Sequence, residues 1–136
     1  MPEAEWQALD ARIAQEVMGW ILKRYSEAPT FDAQRLVWYV PVGNQRQSLQ
    51  FRMWKEEWQP HKDVAQAMMA LDVVVKRGFD TDIKTRHYDS LREIWIVPAE
   101  CRGPCWLGVH ESRAKAICLA AEQWMDAPKE LQDDPG

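Results

Sequence analysis

The order of apolar patterns along this chain predicts an α+β fold: a mainly antiparallel sheet of about five strands packed with three helices. Three observations carry the prediction. Apolar residues recur at steps of three and four in three separate segments, as one face of a helix requires. Other segments alternate apolar with polar residues, as a half-buried strand requires. The links between the strand-like segments are too short for parallel neighbours, which need a crossover. The predicted order is α-β-β-α-β-β-β-α.

The first helix is read from Glu3 to Trp20, where Trp6, Leu9, Ile13, Val17 and Trp20 share one face and Gly19 marks the end. Pro29 and Thr30 break the chain before Arg35 to Val40, a run rich in strand formers. After a turn at Pro41, Gly43 and Asn44, Leu49, Phe51 and Met53 alternate with Gln50, Arg52 and Trp54, which predicts a hairpin. Pro60 suits a helix's first turn, where its missing N–H leaves no bond unmade, and Asp63 complements the positive end of the dipole. Val64, Met68, Leu71 and Val75 form the expected buried stripe of this second helix, and Gly78 its left-handed terminator.

Phe79, Thr81, Ile83 and Thr85 then alternate with Asp80, Asp82, Lys84 and Arg86, a strand with one wet face. Arg92 to Val97 and Cys105 to Val109 read as two more strands around a Pro/Gly turn. Ser112 is an N-cap for the last helix, whose inner stripe is Ala114, Ile117, Ala121 and Trp124. The length of 136 residues fits a single domain over 1–125, with 126–136, polar and carrying two prolines, as a flexible tail.

Composition narrows the function classes. With 46% apolar and 28% charged residues the chain has enough apolar surface to fold. A formal charge of −4, from 21 acids and 17 bases mixed along the chain, argues against non-specific nucleic-acid binding, which needs a net basic face to displace counterions. No apolar stretch approaches the roughly 20 residues that span a bilayer, so no membrane association and a cytoplasmic location are expected. Three cysteines are an odd set, for which reduced thiols are the default.

Catalytic signatures are missing from the sequence. Cys101 and Cys105 form one metal-binding arm, with His110 and Cys118 further on, where zinc sites use two. A Cys101 or Cys105 nucleophile activated by His110 is the other route to an enzyme. No nucleophile elbow, zinc-protease motif, phosphate loop or dinucleotide fingerprint occurs. The chain is therefore expected to be no enzyme, and no cofactor or metal is predicted.

Eight tryptophans are the strongest compositional feature, since Trp offers large apolar area and is enriched at interface hot spots. Trp6, Trp20, Trp38, Trp106 and Trp124 fall on predicted core positions. Trp54 instead shares a strand face with Gln50 and Arg52, and with Trp58, His61 and Asp63 it forms an aromatic and polar cluster ahead of a helix N-terminus. Arg52, Trp54, Trp58, His61 and Asp63 are the candidate residues for a partner or ligand. The same cluster equally fits a tryptophan tucked over the helix start.

Three patches resemble the phage ABA-sandwich domain family. Leu9 to Trp20, ending Val17-Met18-Gly19-Trp20, looks like the family's opening helix. Trp58 to Ala67 is similar to its Ser-Pro-Ser-Thr-Asp-Ile-Ala-x-Ala segment, with His61 and Lys62 in place of the Ser-Thr pair. Ala114 to Ala121, with Ala116-Ile117-Cys118, looks like its closing helix. The resemblance implies helices packed around a sheet and a phage or prophage origin, and it brings no catalytic residues with it.

The expectation is a small phage accessory protein that acts by binding in the host cytoplasm, most simply as an inhibitor of a host anti-phage defence protein. A sponge that sequesters a nucleotide signal, built across a homo-oligomer, and a small Cys/His or metal-dependent enzyme are the alternatives.

Overall fold

The computed structural model describes residues 1–25, 35–43, 45–99 and 104–128. Helix α1 spans Glu3–Arg12 and widens into a π-helical turn, Ile13–Val17. Trp6, Leu9, Ile13, Val17 and Trp20 are all buried, as their spacing predicts. Gly19 ends the segment at φ +74°, a conformation that strains any residue with a Cβ, and the Trp20 N–H turns back to the Ala14 carbonyl at 2.9 Å.

The α+β class holds, but the strands do not form one sheet of five. Six strands make two separate three-stranded antiparallel sheets. The first contains β1 (Ile21–Arg24), β2 (Leu36–Val42) and β3 (Gln45–Trp54), with β2 in the middle. The second contains β4 (Phe79–Thr85), β5 (Arg92–Pro98) and β6 (Trp106–His110), with β5 in the middle. Each set pairs with its own sequence neighbours, and α2 (Val64–Lys76) stands between the two sets. Strand β1 escapes the sequence pattern because it has four residues, Ile-Leu-Lys-Arg, too few for an alternation to show.

Phe51 and Trp54 do not lie on opposite faces of β3, as strict alternation would place them. Trp38 pairs with Met53 and Tyr39 with Phe51, so Arg52 is an extra residue on the β3 side. A bulge of this kind shifts the alternation by one. Met53 accordingly packs on the core with Leu22, Val40 and the buried Trp38, while Phe51 and Trp54 meet on the other face, 5.2 Å apart.

The stripe of α2 is also displaced. Ala67, Ala70, Leu71 and Val74 are buried, whereas Val64, Met68 and Val75 are 44%, 42% and 44% exposed. Apolar residues occur around much of this helix, so periodicity alone does not fix the buried side. Small side chains do: α2 packs on α3 (Arg113–Asp126), which buries Ala114, Ala116, Ala120 and Ala121, and alanines let helix axes approach closely. On its other side α3 presses on β6 so tightly that a Cβ on Gly108 would sit 2.0 Å from the Ala116 carbonyl oxygen.

The caps follow the sequence. Asp63 caps α2 and Ser112 caps α3, while Gly78 closes α2 at φ +99°. Helix α2 begins after Asp63, so Pro60 lies in the preceding turn and not in the helix's first turn. One core joins the two sheets, with Trp20, Trp38 and Trp58 grouped near the first and Phe79, Trp106 and Trp124 near the second. Residues 129–136, most of the tail expected from the sequence, lie outside the described residues.

Candidate functional site

The segment from β3 to α2 carries all five residues singled out from the sequence, and the structure separates them into three settings. Asp63 is structural: its Oδ1 accepts the N–H groups of Ala65 at 2.9 Å and Gln66 at 3.3 Å. Trp58 and His61 point inward and are 3% and 1% exposed. Trp54 and Arg52 stay at the surface, Trp54 half-buried and Arg52 exposed with its guanidinium 5.5 Å from the Trp20 ring.

The inward pair is organised by Asp10 of α1. His61 Nδ1 bonds the Asp10 carboxylate, the His61 backbone N–H donates to Asp10 Oδ1 at 3.2 Å, and His61 Nε2 meets Glu3 Oε1 at 2.9 Å. The Trp58 indole N–H donates to the Asp10 backbone carbonyl at 2.8 Å. Trp6 stacks flat on the imidazole, with centroids 5.8 Å apart and planes within 9°. Burial pushes the Asp10 carboxyl up to about 6, and the bond from His61 only partly offsets this. Asp10 was not legible as a site residue, because it follows Leu9 on an otherwise apolar stripe and its partner lies 51 positions away.

A cleft of about 200 Å³ opens beside this pair, between α1 and the 3₁₀ turn Lys55–Glu57. Trp38, Trp58 and Asp10 line it together with Lys55, Glu56 and Gln59. Trp38 is one of two buried indoles whose N–H meets no acceptor among the described residues.

Across the sheet lies a cluster that alternation alone did not reveal. Phe51, 44% exposed, meets Tyr25, Tyr39 and Trp54 edge-on at 6.3, 6.4 and 5.2 Å. The Arg35 guanidinium lies 3.7 Å over the Trp54 ring and forms an ion pair with Glu56, a residue of the cleft. This pair holds the Glu56 carboxyl below its usual range. The aromatic face and the cleft are therefore one surface, joined through Trp54, Arg35 and Glu56.

The two described cysteines lie in different settings. Cys118 is buried in α3 with its thiol pushed up by burial, Cys105 is exposed, and Cys101 lies outside the described residues. His110 Nδ1 accepts the Ser112 N–H at 3.0 Å. Among the described residues no three His, Cys, Asp or Glu side chains are grouped as metal ligands, and no helix is long and apolar enough to cross a membrane. The chain matches no protein-family model, no curated protein and no solved structure.

Proposed function

We propose that this protein acts by binding another protein through the aromatic face of its first sheet and the cleft beside it. The observation behind this is the continuity from Phe51 through Trp54, Arg35 and Glu56 into the cleft. Aromatic residues and arginine are the side chains that carry most interface energy. A cleft of about 200 Å³ has room for one partner side chain, and it is smaller than the roughly 300–1,000 Å³ typical of small-molecule sites. That size disfavours a nucleotide sponge within one copy of the chain. Lys55, Glu56 and Gln59 suit a polar anchor, and Phe51 suits an apolar one.

The partner proposed is a host protein of an anti-phage defence system, and the protein itself a phage or prophage accessory protein. Both rest on the resemblance in the opening helix, the segment before α2 and the closing helix. Affinity capture from host lysate with wild type and with Phe51→Ala, Trp54→Ala tests the surface. A captured protein that the variant loses while its far-UV circular dichroism and cooperative thermal unfolding are kept is the expected result. The same capture by both would remove this face from consideration.

A further inference from the structure

We propose that two copies of this chain pair antiparallel through the free edge of β4, about a two-fold axis at Ile83, so that two three-stranded sheets become one of six. β4 bonds β5 on one side, and among the described residues no strand lies on its other side. An unpaired row of N–H and C=O groups is a template for another strand. Asp80, Asp82, Ile83, Lys84 and Thr85 are all exposed along it. The opposite edge differs, because at β6 the Leu107 N–H is already taken by Gln123 Oε1 of α3 at 3.1 Å.

Hydrogen-bond direction limits the registers. The Arg86 N–H donates to the Leu91 carbonyl at 2.9 Å, and the Ala99 N–H to the Gly78 carbonyl at 3.3 Å. Bonding alternates along an antiparallel strand, so Gly78, Asp80, Asp82, Lys84 and Arg86 turn their backbone groups toward β5. Phe79, Thr81, Ile83 and Thr85 turn theirs to the open edge. Pro98, which has no N–H, fits this phase, since it stands opposite Phe79 where no bond to β4 is made. A second copy must then set odd-numbered residues against odd-numbered ones.

Charge selects among the symmetric registers that remain. About Thr81, Asp80 would face Asp82 of the second copy. About Asp82 or Lys84, that residue would face its own counterpart. About Ile83, Asp82 faces Lys84 of the second copy in both directions, Asp80 faces Arg86, Thr81 faces Thr85, and no like charges oppose. Arg86 already holds Glu93 at 2.9 Å, while Asp82 and Lys84 meet each other at 3.4 Å only as exposed side chains of one strand, so these two are free to exchange partners across the junction and decide the register. The helix that contacts β4 is α2, the one with exposed Val64, Met68 and Val75, so this junction would place two copies of it on the same side of the six-stranded sheet.

Sedimentation equilibrium of wild type, Asp82→Lys, Lys84→Asp and the double exchange tests the pairing, with near-UV circular dichroism as the check on folding. Wild type and the double exchange are expected to dimerise, and each single variant to be monomeric, because only the exchange restores opposite charges at both positions. No other symmetric register yields that pattern. Ile83→Pro removes one outward N–H without touching the β4–β5 ladder, and is expected to fold as a monomer. A wild type that is monomeric at every concentration, a dimer that survives both single variants, or a double exchange that stays monomeric would each overturn the proposal.

Discussion

Asp10 and His61, 51 positions apart, close a buried carboxylate–imidazole contact that ties α1 to the turn before α2. Each is 4% or less exposed at its side chain. Removing one member of such a pair leaves the other buried and uncompensated, which costs roughly 3–5 kcal/mol. His61→Ala is expected to lower unfolding free energy by about that amount in urea titrations, while Lys62→Ala, at an exposed neighbour, stays within about 0.5 kcal/mol.

Burial of the Asp10 carboxyl makes stability depend on pH. The free Asp carboxyl has its value at 3.8, and burial raises that of Asp10 to about 6. The folded state therefore keeps a proton that the unfolded chain has released. Its contribution is full below about 3.8 and is lost as pH rises through about 6. Glu3 and Lys62 are the other charged groups at the pair, and both lie at the surface. The melting temperature of wild type relative to Asp10→Asn is expected to fall between about pH 4 and about pH 7. A constant difference would show that Asp10 does not titrate in that window.

Two glycines should respond differently to alanine. At Gly108 the new methyl would meet Ala116 O at 2.0 Å and Ala120 N at 2.4 Å, both backbone atoms of α3, so the helix must shift. Overpacking of this kind costs about 3 kcal/mol. At Gly19 nothing lies within 4 Å, and only the φ of +74° is at issue, worth about 1–2 kcal/mol. Chemical denaturation of the two variants should rank them in that order.

Asp63 separates structure from recognition. As the N-cap of α2 it should cost about 1 kcal/mol when changed to Ala and almost nothing when changed to Ser or Asn, which also cap. Full rescue by Asp63→Asn in thermal melts is the expected result. A binding role would instead appear as lost capture with unaltered melting.

On α2, Met68→Gln is expected to change stability by less than about 0.5 kcal/mol, since Met68 is 42% exposed. Leu71→Ala, at 2% exposure, should cost about 2–5 kcal/mol. Equal effects in denaturant titrations would mean that the helix is rotated from its present seat.

These contrasts show where the sequence was legible. Helix α1 and the stripe of α3 could be read because their apolar residues fall on one face, and the caps Asp63 and Ser112 because a side-chain oxygen ahead of a helix has a local purpose. The seat of α2 could not, because Val64, Met68 and Val75 are as apolar as the residues beneath them, and only the alanine-lined contact with α3 chooses between faces. The strands were miscounted because β1 is too short to show alternation, and the division into two sheets was missed because alternation says nothing about which strands pair across α2. Of the candidate site, Arg52 is exposed and Trp54 half-buried, but the bulge puts Trp54 on the face of Phe51 and not on that of Gln50, where strict alternation would place it. Trp58 and His61 were drawn into the interior by Asp10, a long-range contact that no local pattern announces.

The bulge at Arg52 has a consequence for how this chain can vary. Phe51 and Trp54 share a face only because one residue more stands on β3 than on β2. Inserting one residue between Trp38 and Tyr39 of β2 would give Arg52 a partner, return the ladder to strict alternation and send the two aromatics, three positions apart, to opposite sides, although every aromatic residue would still be present. The aromatic face is thus written partly in residue count, and a single-codon insertion in β2 that leaves the composition almost unchanged would dismantle it.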